Sequence, residues 1–188
     1  LSQFALKQYD KAVAEFLKLI NDPKLDKKIE RGRLTLLHAQ CLLYGGKKEE
    51  AQARLVAAAS NLPAGVHQTG AIAAVADLFF GQSDWQKTAT WARKVQTVKS
   101  DSGQRLRAGY QEGFSLFKLG KFPEAITCLQ KTRTLATTAK SETWVTRLNY
   151  LLSECHASNK SLDKAEVALQ AALASLRGSS AVDAQYRL

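Results

Sequence analysis

The sequence predicts an all-α protein, an α-solenoid of stacked antiparallel helical hairpins. A small residue flanked by bulky apolar residues recurs along the chain, and its copies lie 39, 37, 37 and 40 residues apart. Each later copy follows a second apolar segment with helical spacing, and turn-forming residues separate the two segments. One hairpin is too small to bury its apolar faces alone, so a repeat of this kind indicates neighbours that stack.

The second helix of each hairpin is centred on the small residue. These anchor residues are Ala12, Ala51, Thr88, Ala125 and Ala165. Positions three before, four after and seven after the anchor share one face of a 3.6-residue helix. Three before the anchor stand Tyr9, Lys48, Trp85, Phe122 and Leu162. The pattern predicts an amphipathic helix that brings its smallest residue closest to a neighbour.

The first helix of each hairpin carries another small residue, twelve positions before the anchor. These residues are Ala39, Ala76, Gly113 and Ser153. The segments around them are apolar at helical spacing, which predicts a helix in each case. Glycines between the paired segments, at Gly45, Gly46, Gly81 and Gly120, are typical of tight turns.

These residues resemble the tetratricopeptide repeat (TPR) family, whose unit is a helical hairpin of 34 residues. The match is clearest in the fourth unit, where Gly113, Gly120, Phe122 and Ala125 stand at the motif positions. The spacing is longer than the family's by three to six residues. The resemblance covers about five units and implies a single TPR-like domain over residues 1–188, cut from a longer array. Its expected units are 1–26, 27–64, 65–101, 102–138 and 139–178, with a further helix beginning over 179–188.

Composition limits the function classes. The chain has 27 Lys and Arg against 17 Asp and Glu, a net charge of +10, which favours acidic partners. No apolar run approaches the ~18 residues of a membrane span. The three cysteines lie within helical patterns, unlike a disulfide framework, which favours a reducing compartment. The chain has no methionine, so we expect that its native start is missing, and its localisation stays open.

The sequence does not indicate an enzyme. His38 and Cys41 lie three apart on one predicted helix face, but neither a metal set nor a catalytic set is completed around them. Cysteines within apolar helices are usually packing residues. We therefore expect no catalytic residues, no metal and no cofactor.

A binding surface is predicted on the first helices, which by the TPR resemblance line the concave face. Positions 18, 15, 11 and 8 before the anchor share one side of that helix. The candidate partner-binding residues are Arg33, Arg107, Tyr110, Phe114, Phe117, Arg147 and Tyr150. Arginine binds carboxylates at two points and aromatic residues give an apolar floor, so we expect a partner segment with acidic and apolar residues. The alternative is that the arginines are solvated helix starts and the aromatics pack between hairpins.

The predicted function is therefore a noncatalytic scaffold for a protein or peptide partner. Two alternatives remain open at this stage. Nucleic acid could bind a basic and aromatic helical-repeat surface, although the basic residues are spread over both helices and the loops. The chain could also be a structural array that associates with itself.

Overall fold

The computed structural model describes residues 8–22, 28–98 and 100–177. Over these residues the secondary structure consists of nine α-helices. The helices are α1 (Tyr9–Ile20), α2 (Lys28–Tyr44), α3 (Lys48–Asn61), α4 (Val66–Gly81), α5 (Trp85–Thr97), α6 (Ser102–Lys118), α7 (Phe122–Thr138), α8 (Glu142–Ser158) and α9 (Leu162–Arg177). The all-α prediction is confirmed for this part of the chain, and none of its helices is long and apolar enough to cross a membrane.

The chain divides into two compact units, Leu1–Leu78 and Phe79–Leu188, and the boundary falls within α4. The helices pair as α2 with α3, α6 with α7 and α8 with α9, within the predicted repeat units. Residues 1–7 of the first expected unit and the further helix expected over 179–188 lie outside the described residues. A single repeat domain over residues 1–188 stays a prediction.

In the first unit, α2 packs against both α1 and α3. Ala12 and Phe16 of α1 meet Cys41 of α2 in a buried cluster. At the edge of this contact, the Tyr9 and Tyr44 rings stack with centroids 5.6 Å apart. The anchor residue Ala12 is 4% exposed, as expected of a small residue at a close helix contact.

In the second unit, each helix from α5 to α9 packs against its neighbour in sequence, and α6 also contacts α8. The second unit has a core built from leucines on successive helices, among them Leu106, Leu129, Leu148 and Leu152. The contact between α6 and α8 brings the first helices of two successive hairpins side by side. This contact positions the candidate site.

The turns inside four hairpins share one backbone conformation. The residue five before each anchor has a positive φ: 82° at Gly46, 58° at Ser83, 72° at Gly120 and 58° at Lys160. Glycine adopts this left-handed conformation readily, whereas other residues are strained in it. The sequence pointed to Gly81 in the third unit, but the left-handed residue there is Ser83.

Candidate functional site

Four predicted site residues lie on one side of α6. Arg107, Tyr110, Phe114 and Phe117 follow one another by three or four residues, which keeps them on a single helix face. Arg107 is exposed, whereas the three aromatic side chains are half-buried and pack against the core of the second unit. The aromatic residues thus take part in hairpin packing and also keep an accessible portion.

Phe114 lies at the centre of an aromatic cluster. Its ring centroid is 5.5 Å from that of Phe80 at the end of α4 and 5.5 Å from that of Trp85 at the start of α5. The Tyr110 centroid is 6.1 Å away, with the rings stacked. All four side chains are half-buried, so the helices hold the rings in place.

The aromatic contacts continue from α6 to α8 through Trp144. The Tyr110 and Trp144 ring centroids are 5.8 Å apart. The Arg147 guanidinium lies over the Trp144 ring, 5.5 Å from its centroid. Trp144 was not among the predicted site residues. It is half-buried in the structure and joins the two predicted residues Tyr110 and Arg147.

Lys118 adds a cation that the sequence analysis missed. Its ammonium lies 5.2 Å from the Phe114 centroid and 5.7 Å from the Phe117 centroid. A cation over an aromatic ring is attracted by the negative face of the ring. Lys118 is the last residue of α6 and directly follows the predicted residue Phe117. Its position next to a predicted site residue is the sequence feature that could have identified it.

Charged neighbours affect both tyrosines of the site. Burial raises the pKa of Tyr110, while nearby Arg147 opposes this effect and Glu154 adds to it. Tyr150 is 53% exposed, and its pKa is raised by the charge of Glu154 and by the hydrogen bond between the two side chains. Glu154 is therefore a carboxylate close to both tyrosines, within a surface otherwise bordered by cations.

We call this surface the α6–α8 face. It consists of Arg107, Tyr110, Phe114, Phe117, Lys118, Trp144, Arg147 and Tyr150. Six of the seven predicted site residues thus lie on two helices that contact each other. The seventh, Arg33, is exposed on α2 and belongs to the first unit.

The histidine and cysteine side chains considered for chemistry lie in the interior. His38 is 3% exposed and Cys41 is fully buried, and burial lowers the pKa of the first and raises that of the second. Burial also raises the pKa of Cys128 and Cys155 to about 12. Such thiols stay protonated near neutral pH and are poor nucleophiles. Among the described residues, no group of three His, Cys, Asp or Glu side chains could hold a metal ion.

No protein-family model matches the chain, and no curated protein sequence matches it. Solved structures do match. MamA of AMB-1 is 13% identical with a TM-score of 0.70, covering 98% of this chain and 91% of its own. A second match is a P. anserina protein assigned as a kinesin light chain, whose TPR-like repeats are nearly identical to one another. It is 14% identical to this chain with a TM-score of 0.69, and the match covers 96% of this chain and 92% of that protein. Bacillus thuringiensis PlcR, in complex with the peptide PapR7 and DNA, is 12% identical with a TM-score of 0.62, covering 94% and 66%.

These similarities show a TPR-like helical-repeat fold. The resemblance drawn from Gly113, Gly120, Phe122 and Ala125 is therefore confirmed at the level of the fold, and so is the α-solenoid class. At 12 to 14% identity the comparisons speak only for the fold.

Proposed function

We propose that the protein is a noncatalytic interaction scaffold that binds a partner segment on the α6–α8 face. The observation that carries this proposal is the continuous contact of half-buried rings from Phe114 through Tyr110 to Trp144, bordered by the cations Lys118 and Arg147. By the TPR resemblance, we expect this face on the inner, concave side of the array.

The chemistry of the face favours a segment with apolar and acidic residues. The rings are already held by packing within the protein, so binding an apolar side chain against them costs little additional ordering. Arg107 and Arg147 are exposed and occupy matching places on successive first helices. Their guanidinium groups can each bind a carboxylate in two-point geometry.

Similarity to PlcR adds support for the class of partner. That protein shares the fold over 66% of its chain and was crystallised with the peptide PapR7 and DNA. A protein that contains this fold can therefore have a peptide as a partner. The two proteins are only 12% identical, so no peptide-binding residue is carried over from PlcR. The residues proposed here follow from the structure of this chain alone.

A capture experiment tests the proposal with a matched charge control. The immobilised protein is compared with the double variant Arg107→Glu/Arg147→Glu and with Lys131→Glu/Lys164→Glu. The control makes the same change in net charge at exposed positions of the second helices α7 and α9. Bound species are identified by mass spectrometry with and without nuclease, and circular dichroism checks that each variant is folded.

The expected result is a set of protein partners that withstand nuclease, bind the wild type and the control variant, and are lost from Arg107→Glu/Arg147→Glu. Equal capture by all three folded proteins would contradict binding on this face. Capture that disappears with nuclease would instead support nucleic-acid binding. An apparent molar mass from light scattering that grows with protein concentration would support the self-associating array.

A further inference from the structure

A cleft lies between α7 and α9, with α8 as its floor. Helix α8 packs against both of these helices, and the space between them is a cavity of about 320 Å³. This volume lies at the lower end of the range for small-molecule sites. We call this cavity the α7–α9 cleft; its lining includes Arg133 of α7, Leu152 and His156 of α8, and Asp163, Lys164 and Val167 of α9.

Three basic side chains from three different helices line the α7–α9 cleft. Lys164 is exposed, Arg133 is half-buried and His156 is 8% exposed. Arg133 donates a hydrogen bond from Nη1 to Oδ1 of the buried Asn149, 3.2 Å away, which holds the guanidinium against the wall of the cleft. Burial and the charges of Lys164 and Arg133 lower the pKa of His156, so both cations are close to the imidazole. The three basic groups therefore converge on one cavity.

One carboxylate, Asp163, is found among the residues that line the cleft. It is exposed and lies in the first turn of α9, where the helix dipole stabilises a negative charge. The two cations still give the cleft a net positive charge, and protonation of His156 would raise it further. An anionic group in the cleft would be attracted by all three basic side chains.

The preceding repeat has an equivalent cleft between α5 and α7, and its lining differs at two matching positions. Thirteen residues before the anchor, Glu112 stands in the place of Leu152. Nine residues before the anchor, Leu116 stands in the place of His156. Glu112 is buried and paired with Arg93, and a buried carboxylate repels an anion. The chemistry that favours an anion thus belongs to the α7–α9 cleft and not to its equivalent.

The three basic groups match the phosphate of a monoester. Such a phosphate carries a charge of about −1.5 to −2 at pH 7 and has three strong acceptor oxygens. Apolar side chains also line the cleft, and Leu152 and Val167 can contact an organic part of the ligand. We propose that the α7–α9 cleft binds a small organic phosphate monoester. Arg133, His156 and Lys164 hold the phosphate, and the organic part lies against Leu152 and Val167.

This site is separate from the α6–α8 face. His156 follows Tyr150 by six residues, so their side chains point about 120° apart around α8. The inference therefore goes beyond the proposed function and does not depend on it.

Isothermal titration calorimetry on the full chain at pH 7 tests the proposal with three probes: phenyl phosphate, inorganic phosphate and benzoate. The proteins are the wild type, Lys164→Gln and the matched control Lys118→Gln. The control removes the same charge at an exposed position on the α6–α8 face. Circular dichroism checks that both variants are folded.

Phenyl phosphate should bind the wild type and Lys118→Gln with equal affinity, and it should bind both more tightly than the other two probes. Lys164→Gln should bind it about tenfold more weakly, because a charge-assisted hydrogen bond is lost.

A second measurement follows the imidazole of His156 in the wild type by NMR as the pH is varied. Its resonances are identified by their absence from His156→Gln. Adding phenyl phosphate should raise the pKa of His156, because a nearby anion stabilises the protonated ring. The titrations of His38 and His67 should not change.

Four outcomes would overturn the proposal. They are the absence of phenyl phosphate binding at millimolar concentration, equal binding by folded Lys164→Gln, and a His156 titration that the ligand leaves unchanged. The fourth is an affinity for benzoate or inorganic phosphate equal to that for phenyl phosphate, which would contradict recognition of a phosphate joined to an organic part. Each of these outcomes leaves the capture experiment on the α6–α8 face unaffected.

Discussion

Gly113 of α6 lies directly against the side chain of Leu129 of α7, and a Cβ atom at Gly113 would overlap that side chain. Leu129 is fully buried, four residues after the anchor Ala125, so it has little room to move away. The absence of a side chain at Gly113 therefore sets the distance between the two helices of this hairpin. This packing holds α6 in place and with it half of the α6–α8 face.

Replacing Gly113 by alanine should lower the free energy of unfolding by about 1 to 3 kcal/mol, because overpacking outweighs the higher helix propensity of alanine. Urea denaturation monitored by circular dichroism measures the change. Gly81→Ala is the control, since a Cβ there has no atom within 4 Å and should not destabilise the protein. In a Leu129→Ala background most of the loss should disappear. An equal loss in both backgrounds would contradict the packing explanation.

The helices and their contact faces could be predicted from the sequence because both depend on local spacing. The small residues Gly113 and Ala125 marked a hairpin whose helices pack closely, and Leu129 was part of the predicted apolar face. The turn residues Ser83 and Lys160 could not be predicted in the same way. Their left-handed conformation follows from the geometry of the hairpin, and they lack the glycine that would signal it.

The candidate site was predicted in part. Positions 18, 15, 11 and 8 before the anchor identified Arg107, Tyr110 and Arg147. Trp144 and Lys118 fall outside these positions, and their roles depend on contacts between helices or on the reach of a long side chain. Such contacts form only when hairpins stack in space, and the residue spacing within one repeat does not predict them.

The shared left-handed turn position gives a second prediction. Gly120→Ala should lower the free energy of unfolding by about 1 kcal/mol, because an L side chain is strained at a φ of 72°. No atom lies within 4 Å of a Cβ built there, so a clash would not contribute. Lys160→Gly, at the equivalent position, should raise it by about 0.5 kcal/mol, the relief of strain being partly offset by entropy. Urea denaturation of both variants measures the effects, and a fully stable Gly120→Ala would contradict the explanation.

The ion pair between Arg93 and Glu112 gives a third prediction. Arg93 Nε lies 2.8 Å from Glu112 Oε1, and the carboxylate side chain is only 9% exposed, whereas that of arginine is 63% exposed. Arg93→Ala should lower the free energy of unfolding by about 1 to 2 kcal/mol, because it leaves a buried carboxylate without its cation and solvent compensates only in part.

A double variant distinguishes charge from packing at this pair. Adding Glu112→Gln to Arg93→Ala should restore part of the lost stability, because a neutral amide is less costly to bury than a carboxylate. Chemical denaturation of the wild type, both single variants and the double variant gives the coupling. If the double variant is as unstable as the sum of the single variants, the ion pair does not account for the effect.

His156 gives a prediction about pH. The side chain is 8% exposed, and its pKa is lowered by burial and by the nearby cations Lys164 and Arg133. The unfolded chain, in which the ordinary value of 6.5 applies, therefore binds a proton more readily than the folded protein. The contribution of this histidine to stability is complete above that value and is lost as the pH falls below it.

The free energy of unfolding should therefore fall between about pH 7.5 and about pH 5.5, and it should fall less in His156→Gln, which has no imidazole to protonate. Urea denaturation across this range measures both curves. Parallel curves for the wild type and His156→Gln would show that the folded protein accommodates a charged His156 without cost, and would contradict the prediction.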